Sequence, residues 1–579
     1  MSMIKPSNTL YSKLDHEPQE LRFGTSGRRG EVVHLTQLEV YINALAELEY
    51  LQSLPLSEGG ITPGEDFYFA YDLRPSSSRY LDGYPIRGEL VQAIAQAIRD
   101  SGMRPINLGQ IPTPALTLCA ISRGKGSIMV TGSHIPFDRN GYKTNTAIGE
   151  LLKQHEGPVN DKVAEVRRRI YDQPFDDSLF AKNGCFKLRH VPLPEASNAG
   201  AVEYVRRYTE FFGVGALRGL KLAAYQHSAV GRDILVEILQ ALGAEVFPAG
   251  RSETFIPIDT ENMDAAQLQT LQALHDAVAA QHGAFDAIVS TDGDSDRPLL
   301  LGVEAGKVRF FGGDLLGMVT AEYLGADAVV VPISCNDAID QGAQRHIVEP
   351  KTRIGSPFVI AGMQQAAARG RQAVCGWEAN GGFLTATPIT RNGRTLPALP
   401  TRDALLPIIA VLAAARASQQ PLVRLFERLP RRFSRAALLK DFPREQSLAL
   451  LRQLTPMNAE VCEVVFGTDD GVDCCRAARE TVPVTAEEAE MLMSIRARLQ
   501  SHFTRNGGFG EIRRLNYLDG LRIHFDNGDV AHIRPSGNAD ELRIYAVADT
   551  QERADAIAAL GVAEPDGILR SLALGACDP

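Results

Sequence analysis

The sequence predicts an α/β protein that ends in a smaller α+β domain. Two observations carry this. Through most of the 579 residues, short apolar strands alternate with amphipathic helices, and the strands run into polar or glycine-rich loops. The last portion instead shows alternating strands joined by tight turns. At about 150 residues per domain, the length accommodates roughly four domains. Boundaries are expected near 195, 305 and 428, giving ranges 1–195, 196–305, 306–428 and 429–579.

The elements follow in order. DFYFAYDLRPSSSR reads as a strand entering a loop, and ELVQAIAQAIRDSG follows with helical spacing and a stop at Gly102. SIMV is a strand that runs into TGSHIPFDRNGYK. LKLAAYQ, RDILVEILQALG and AEVFPAG form a strand–helix–strand unit. DAIVSTDGDSDRP, ADAVVVPIS and QAVCGWEANGGF repeat the strand-to-loop pattern. LLPIIAVLAAA, interrupted by Pro407, is too short for a membrane span of about 20 residues and reads as a buried core helix. After LPRRFSRAALLKDFP and the helical AEEAEMLMSIRARLQ, the Asp526–Asn527–Gly528 turn sets an antiparallel hairpin in GLRIHFDNGDVAHIRPSGNADELRIYAVA. The segment from about 435 to 515 is long for a terminal domain of this kind.

Composition narrows the class. An apolar share of 44% and a charged share of 22% are those of a globular protein. With 60 basic against 70 acidic residues the net charge is −10, which argues against nucleic-acid binding by bulk charge and leaves room for a local basic pocket. Eight cysteines without a C-x-x-C pair indicate neither a zinc site nor a redox motif. The N-terminal residues lack an apolar secretory core. The expectation is a soluble, cytoplasmic protein with no membrane or nucleic-acid partner.

Four segments carry chemistry. In Thr131–Gly132–Ser133–His134, a serine on a strand-to-loop turn presents its hydroxyl as a nucleophile, or merely caps the next segment. The segment lacks G-x-S-x-G, which excludes a hydrolase elbow. Lys143, in NGYK, can return to the same pocket as a charge or proton relay. In TDGDSDR, Asp292, Asp294 and Asp296 follow a strand at alternate positions and can wrap one hard cation. An EF-hand is excluded because Arg297 and Val303 stand where its glycine and glutamate belong. Magnesium fits, since it uses few protein ligands and leaves positions for phosphate oxygens.

The third segment, Gly376 to Gly382, places Glu378 and Asn380 on a glycine-flanked loop able to bond vicinal sugar hydroxyls, although taken alone it reads more readily as an ordinary turn. In the fourth, Arg534–Pro535–Ser536–Gly537–Asn538, Arg534 offers a fork for phosphate and Gly537 lets backbone N–H groups approach it. Arg543 follows. A nucleophilic hydroxyl, a cation loop, a hydroxyl-reading loop and a phosphate cup together call for phosphoryl transfer on a sugar phosphate.

These segments resemble, in order, the signatures of the α-D-phosphohexomutase superfamily of phosphomannomutases and phosphoglucomutases. The resemblance runs from FGTSGRRG at 23–30 to RPSGNADELRIY at 534–545. It implies three related α/β domains and a C-terminal domain of TATA-box-binding-protein type around a central cleft. It also implies that Ser133 carries a phosphate and holds Mg2+ with Asp292, Asp294 and Asp296. Arg29, Lys143 and His134 would be the other catalytic residues. Arg297, Glu378, Asn380, Arg534, Ser536, Gly537, Asn538 and Arg543 would bind substrate. The implied reaction interconverts hexose 1- and 6-phosphates, mannose first and glucose next, through a 1,6-bisphosphate that also serves as activator.

Three departures stand out. Ile135 replaces a usual Asn, Trp377 precedes Glu378, and Gly382 stands where many members place His. EANG is also similar to phosphoacetylglucosamine mutases, while LPTRDALLP and RPSGNA are closer to bacterial phosphomannomutases. A sugar phosphatase and a non-catalytic sugar-phosphate sensor are the competing readings, and oligomeric state is left open.

Overall fold

The architecture is described from a computed structural model covering residues 8–24, 26–81, 87–187, 192–261, 263–467, 471–476, 480–536 and 540–574. The chain divides into two compact bodies, one of Met1–Ala328 with Ser356–Phe426 and one of Val329–Gly355 with Glu427–Pro579.

In the first body, the strands Asp66–Tyr71, Arg104–Asn107 and Ser127–Val130 run parallel, as a strand–helix alternation requires. Arg139–Thr146 then returns antiparallel beside Ser127–Val130, and Arg28–Glu31 pairs with its outer edge. All of NGYK therefore lies in a strand, which sets Lys143 opposite Met129. Phe67, Phe69, Ile128 and Val130 are fully buried beneath helices Gln37–Ser53 and Leu90–Asp100. The second helix ends where expected, with Gly102 at φ +79°.

A second sheet orders Glu245–Arg251, Lys221–His227 and Ala287–Thr291 in parallel, with Pro298–Glu304 antiparallel at the side of Ala287–Thr291. A third set, Val374–Trp377, Phe383–Thr385 and Leu399–Asp403, is antiparallel. LLPIIAVLAAA begins the helix Leu405–Ser418, buried along most of its length, so its apolar character serves the core. Among the described residues no helix is long and apolar enough to cross a membrane.

The second body is built on an eight-stranded antiparallel sheet. Its hairpin Leu521–Phe525 to Val530–Pro535 turns at Asp526–Gly528, as the sequence predicts, and continues into Glu541–Ala548. The long 435–515 segment has a structural explanation. Its strands Glu463–Phe466, Val472–Cys475 and Thr481–Val482 extend one edge of the sheet. Helix Ala486–His502, opened by a Thr485/Glu488 capping box, packs on the same core.

Candidate active site

Ser133 and the aspartate trio follow the carboxyl ends of buried strands, where loop side chains converge, while the candidates Arg29 and Lys143 lie within strands. Ser133, three residues past Val130, is buried and has φ +54°, a left-handed conformation that costs a serine about 1–2 kcal/mol. What holds it there is charge. The Ser133 N–H donates to Thr131 Oγ1 (2.7 Å), whose hydroxyl donates to Asp72 Oδ2 (2.8 Å). Arg74, buried beside Asp72 and stacked on Phe255, donates to the carbonyls of Ser133, Ile135, Pro136 and Arg139. The loop is thus wrapped around one guanidinium. Gly132 follows from this, since a Cβ there would sit 2.5 Å from Arg74 Nε.

The Ser133 hydroxyl donates to Asp292 Oδ2 at 2.7 Å, which brings together the nucleophile and acidic segments singled out in the sequence. Asp292, Asp294 and Asp296 are fully buried, with one carboxylate oxygen of each within 4.8 Å of the others. Lys143 Nζ bridges Asp294 and Asp296 at 2.6 Å each, and Thr113 Oγ1 donates to Asp294 at 2.6 Å. Arg402 donates twice to Asp296 Oδ2, at 3.0 and 2.8 Å.

Burial, then the charges of Asp294 and Asp296, push the Asp292 carboxyl well above the usual range. At Asp294 burial also pushes upward, but the Lys143 ammonium and hydrogen bonds from Lys143 and Thr113 outweigh it and hold the carboxyl low. At Asp296 burial is outweighed by Arg402 and Lys143. Among the described residues, two buried oxygens of the trio, Asp294 Oδ1 and Asp296 Oδ1, have no hydrogen-bond partner. Unsatisfied oxygens on a hard-donor trio fit a divalent cation, which would satisfy the orphaned oxygens and relieve the repulsion that raises Asp292.

The remaining candidates of this body surround the trio. Arg29, half-buried, donates from Nη1 to the carbonyls of Arg28 and Tyr142. Burial draws its guanidinium down to about 10 despite attraction from Asp294. His134 Nδ1 lies 3.4 Å from Ser133 Oγ, and burial followed by Arg297 lowers its pKa well below the usual histidine range, leaving it neutral. Arg297 Nε is 3.9 Å from Asp292 and 3.7 Å from Asp296. Glu378 accepts from Arg402 Nη1 at 2.9 Å. Asn380 turns its carboxamide oxygen back onto the Gly382 N–H, bracing its own loop.

Four residues in this cluster escaped the sequence reading: Asp72, Arg74, Thr113 and Arg402. Asp72 and Arg74 did leave a signal, a charged pair immediately beyond a buried strand. Arg402 likewise sits in TRD, just ahead of the apolar helix.

In the second body, Arg534 donates to Asp519 at 2.9 Å. Arg543, directly opposite on the adjoining strand, donates to Ser536 Oγ and Glu541, each at 3.3 Å. Gly537 and Asn538 lie outside the described residues.

A serine hydroxyl bonded to one member of a buried carboxylate trio, with cations on several sides, is an arrangement that can serve phosphoryl transfer beside a divalent cation. Comparison with known proteins agrees. Residues 20–168 match the phosphoglucomutase/phosphomannomutase α/β/α domain I, residues 312–433 its α/β/α domain III, and residues 482–561 its C-terminal domain. A phosphomannomutase of Sinorhizobium fredii is 36% identical over 94% of this chain and 98% of its own length. A phosphomannomutase of Salmonella muenchen is 34% identical, over 92% and 93%. A phosphoglucomutase/phosphomannomutase family protein of Burkholderia thailandensis has the same fold, with a TM-score of 0.61 at 17% identity over 97% of this chain and 98% of that one. The chain belongs to the phosphoglucomutase/phosphomannomutase family and is a phosphohexomutase.

Proposed function

We propose that this enzyme interconverts mannose 1-phosphate and mannose 6-phosphate, with glucose phosphates as second substrates. The two phosphomannomutases matched over nearly the whole chain support the mannose preference. Ser133, as its phosphate ester, gives the phosphoryl group to the free hydroxyl of the hexose phosphate, and the hydroxyl proton passes to a base. The resulting 1,6-bisphosphate turns over and returns its other phosphoryl group to Ser133 Oγ, while the base restores the proton to the sugar oxygen. Hexose 1,6-bisphosphate is therefore also the activator that primes a dephosphorylated enzyme.

Asp292, Asp294, Asp296 and the Ser133 oxygen would hold Mg2+. When bound, that ion neutralises charge on the group in transfer. Lys143 and Arg29 supply the proton-handling and charge-stabilising groups. His134, kept neutral, bonds the serine oxygen, and Arg297, beside Asp292 and Asp296, binds substrate. Glu378 and Asn380 read sugar hydroxyls. Arg534, Ser536, Gly537, Asn538 and Arg543 hold the phosphate that does not react. In this reading the ranges 1–195, 196–305, 306–428 and 429–579 supply the serine, metal, sugar and phosphate loops, small sugar phosphates are the partners, and the enzyme works in the cytoplasm.

The single observation that carries the reading is the 2.7 Å bond from the Ser133 hydroxyl to Asp292 of the buried carboxylate trio. The test is a coupled assay across mannose, glucose and N-acetylglucosamine 1-phosphates, with catalytic bisphosphate and Mg2+. Mannose 1-phosphate is expected to turn over fastest, and Ser133→Ala to lose at least about 10^3-fold in kcat. Full mutase turnover by Ser133→Ala refutes the assignment. Phosphate release without isomerisation makes the protein a phosphatase instead.

A further inference from the structure

The sequence reading passed over Arg402, and the proposed chemistry gives it no task. Yet its guanidinium is among the most enclosed charges in the first body, with a side chain only 4% exposed. Its planar fork is divided between two loops. Nε and Nη2 close on Asp296 Oδ2, while Nη1 reaches Glu378 Oε2. Lys143 takes the same Asp296 oxygen, so among the described residues Oδ1 has no hydrogen-bond partner and faces only Arg297 Nε at 3.7 Å.

The base of Arg402 is fixed as firmly as its tip. Asp403, the next residue, accepts from the buried hydroxyls of Tyr204 and Tyr208 and from the Leu405 N–H. The aliphatic stem lies against Gly382, where a Cβ would come within 2.6 Å of Arg402 Cδ. The loop that carries Glu378 therefore closes directly on this side chain, which explains why position 382 carries no side chain.

We propose that Arg402 is a positioning residue that couples the metal loop to the sugar loop. This rests on the reading of those two loops given above. A guanidinium shared by two buried carboxylates divides its hydrogen bonds and charge between them. When Glu378 is neutralised or engaged by hydroxyl groups, Arg402 bears more fully on Asp296 and makes that carboxylate a poorer cation ligand. Coupling of this kind is reciprocal, so a cation at Asp296 releases Arg402 toward Glu378.

The test is a double-mutant cycle read by Mn2+ binding, following free Mn2+ by electron paramagnetic resonance on the full chain. Glu378→Gln is expected to weaken Mn2+ binding about tenfold in the wild-type background and less than about twofold in Arg402→Met. Arg402→Lys keeps the charge but lacks the fork, and is expected to reduce the coupling by at least half. It serves as the decisive background if Arg402→Met does not fold. Equal factors in all backgrounds would mean that Glu378 acts through its direct field, which overturns the coupling alone. No effect of Glu378→Gln in the wild type overturns it as well. Failure of the wild type to bind Mn2+ overturns the metal-site reading and the coupling together.

Discussion

The arginines of the candidate site are held differently in the two bodies. In the first, Arg74 and Arg402 are buried, each beside a carboxylate and hydrogen-bonded several times over, to carbonyls or to carboxylates. In the second, where Arg432 and Arg522 are buried, the candidate residues Arg534 and Arg543 are part-exposed and pair with Asp519 and Glu541. Buried pairs are rigid because breaking one strands a charge in a poor dielectric. Part-exposed pairs are worth about 0–1 kcal/mol and exchange readily for a better anion. In the proposed reading the contrast is a division of labour: chemistry is held in a preorganised frame, and phosphate capture is left to arginines that can change partners.

Four experiments sharpen or break that contrast, taken from the largest effect down. Arg74→Met removes the guanidinium around which the serine loop is wrapped and leaves Asp72 unpaired. It is expected to cost about 3–5 kcal/mol of stability, measured by denaturant unfolding. A cost below about 1 kcal/mol would show that the loop holds itself. Lys143→Met is expected to lower kcat about 10^2- to 10^4-fold with little change in KM in the coupled mutase assay. A change confined to KM would move Lys143 from chemistry to binding.

The third experiment concerns pH. His532 is fully buried and its Nε2 contacts the Asp519 carbonyl at 2.6 Å. Burial, aided by Arg522, draws its pKa down to about 3. The folded value lies below the unfolded one of about 6.5, so the unfolded chain binds the proton first. The stability this residue contributes is present above about pH 6.5 and is lost as pH falls toward 3. His532→Gln should flatten the decline of the unfolding midpoint across that window, and an unchanged slope would mean other groups dominate it. The smallest effect is expected for Arg534→Ala. KM for the hexose phosphate should rise about tenfold, with kcat within twofold and stability within about 0.5 kcal/mol. A large stability loss would place Arg534 with the first body's arginines.

Much of the fold is legible in the sequence because it is local. The strand Ser127–Val130, the helix Leu90–Asp100 with its Gly102 stop, and the Asp526–Gly528 hairpin all follow from periodicity and turn residues. The continuation of Arg139–Thr146 as a strand does not. NGYK carries turn-like residues, and only pairing with Ser127–Val130 makes them extended. Ser133 and the aspartates are legible for a chemical reason: a hydroxyl and three acidic groups packed behind buried strands are costly unless used.

By itself, then, the sequence determined which side chains could do chemistry and the order of strands and loops that carry them, since both are properties of neighbouring residues. Only the tertiary structure decided that Asp72 and Arg74 would shape the serine loop, 59 residues from the Arg74 guanidinium to its Ser133 carbonyl partner. It alone set Arg402 between Asp296, 106 residues away, and Glu378, 24 residues away. A buried ion pair is a bargain struck in space, where each charge must find its opposite or pay for desolvation, and no local pattern of residues records which partner it found.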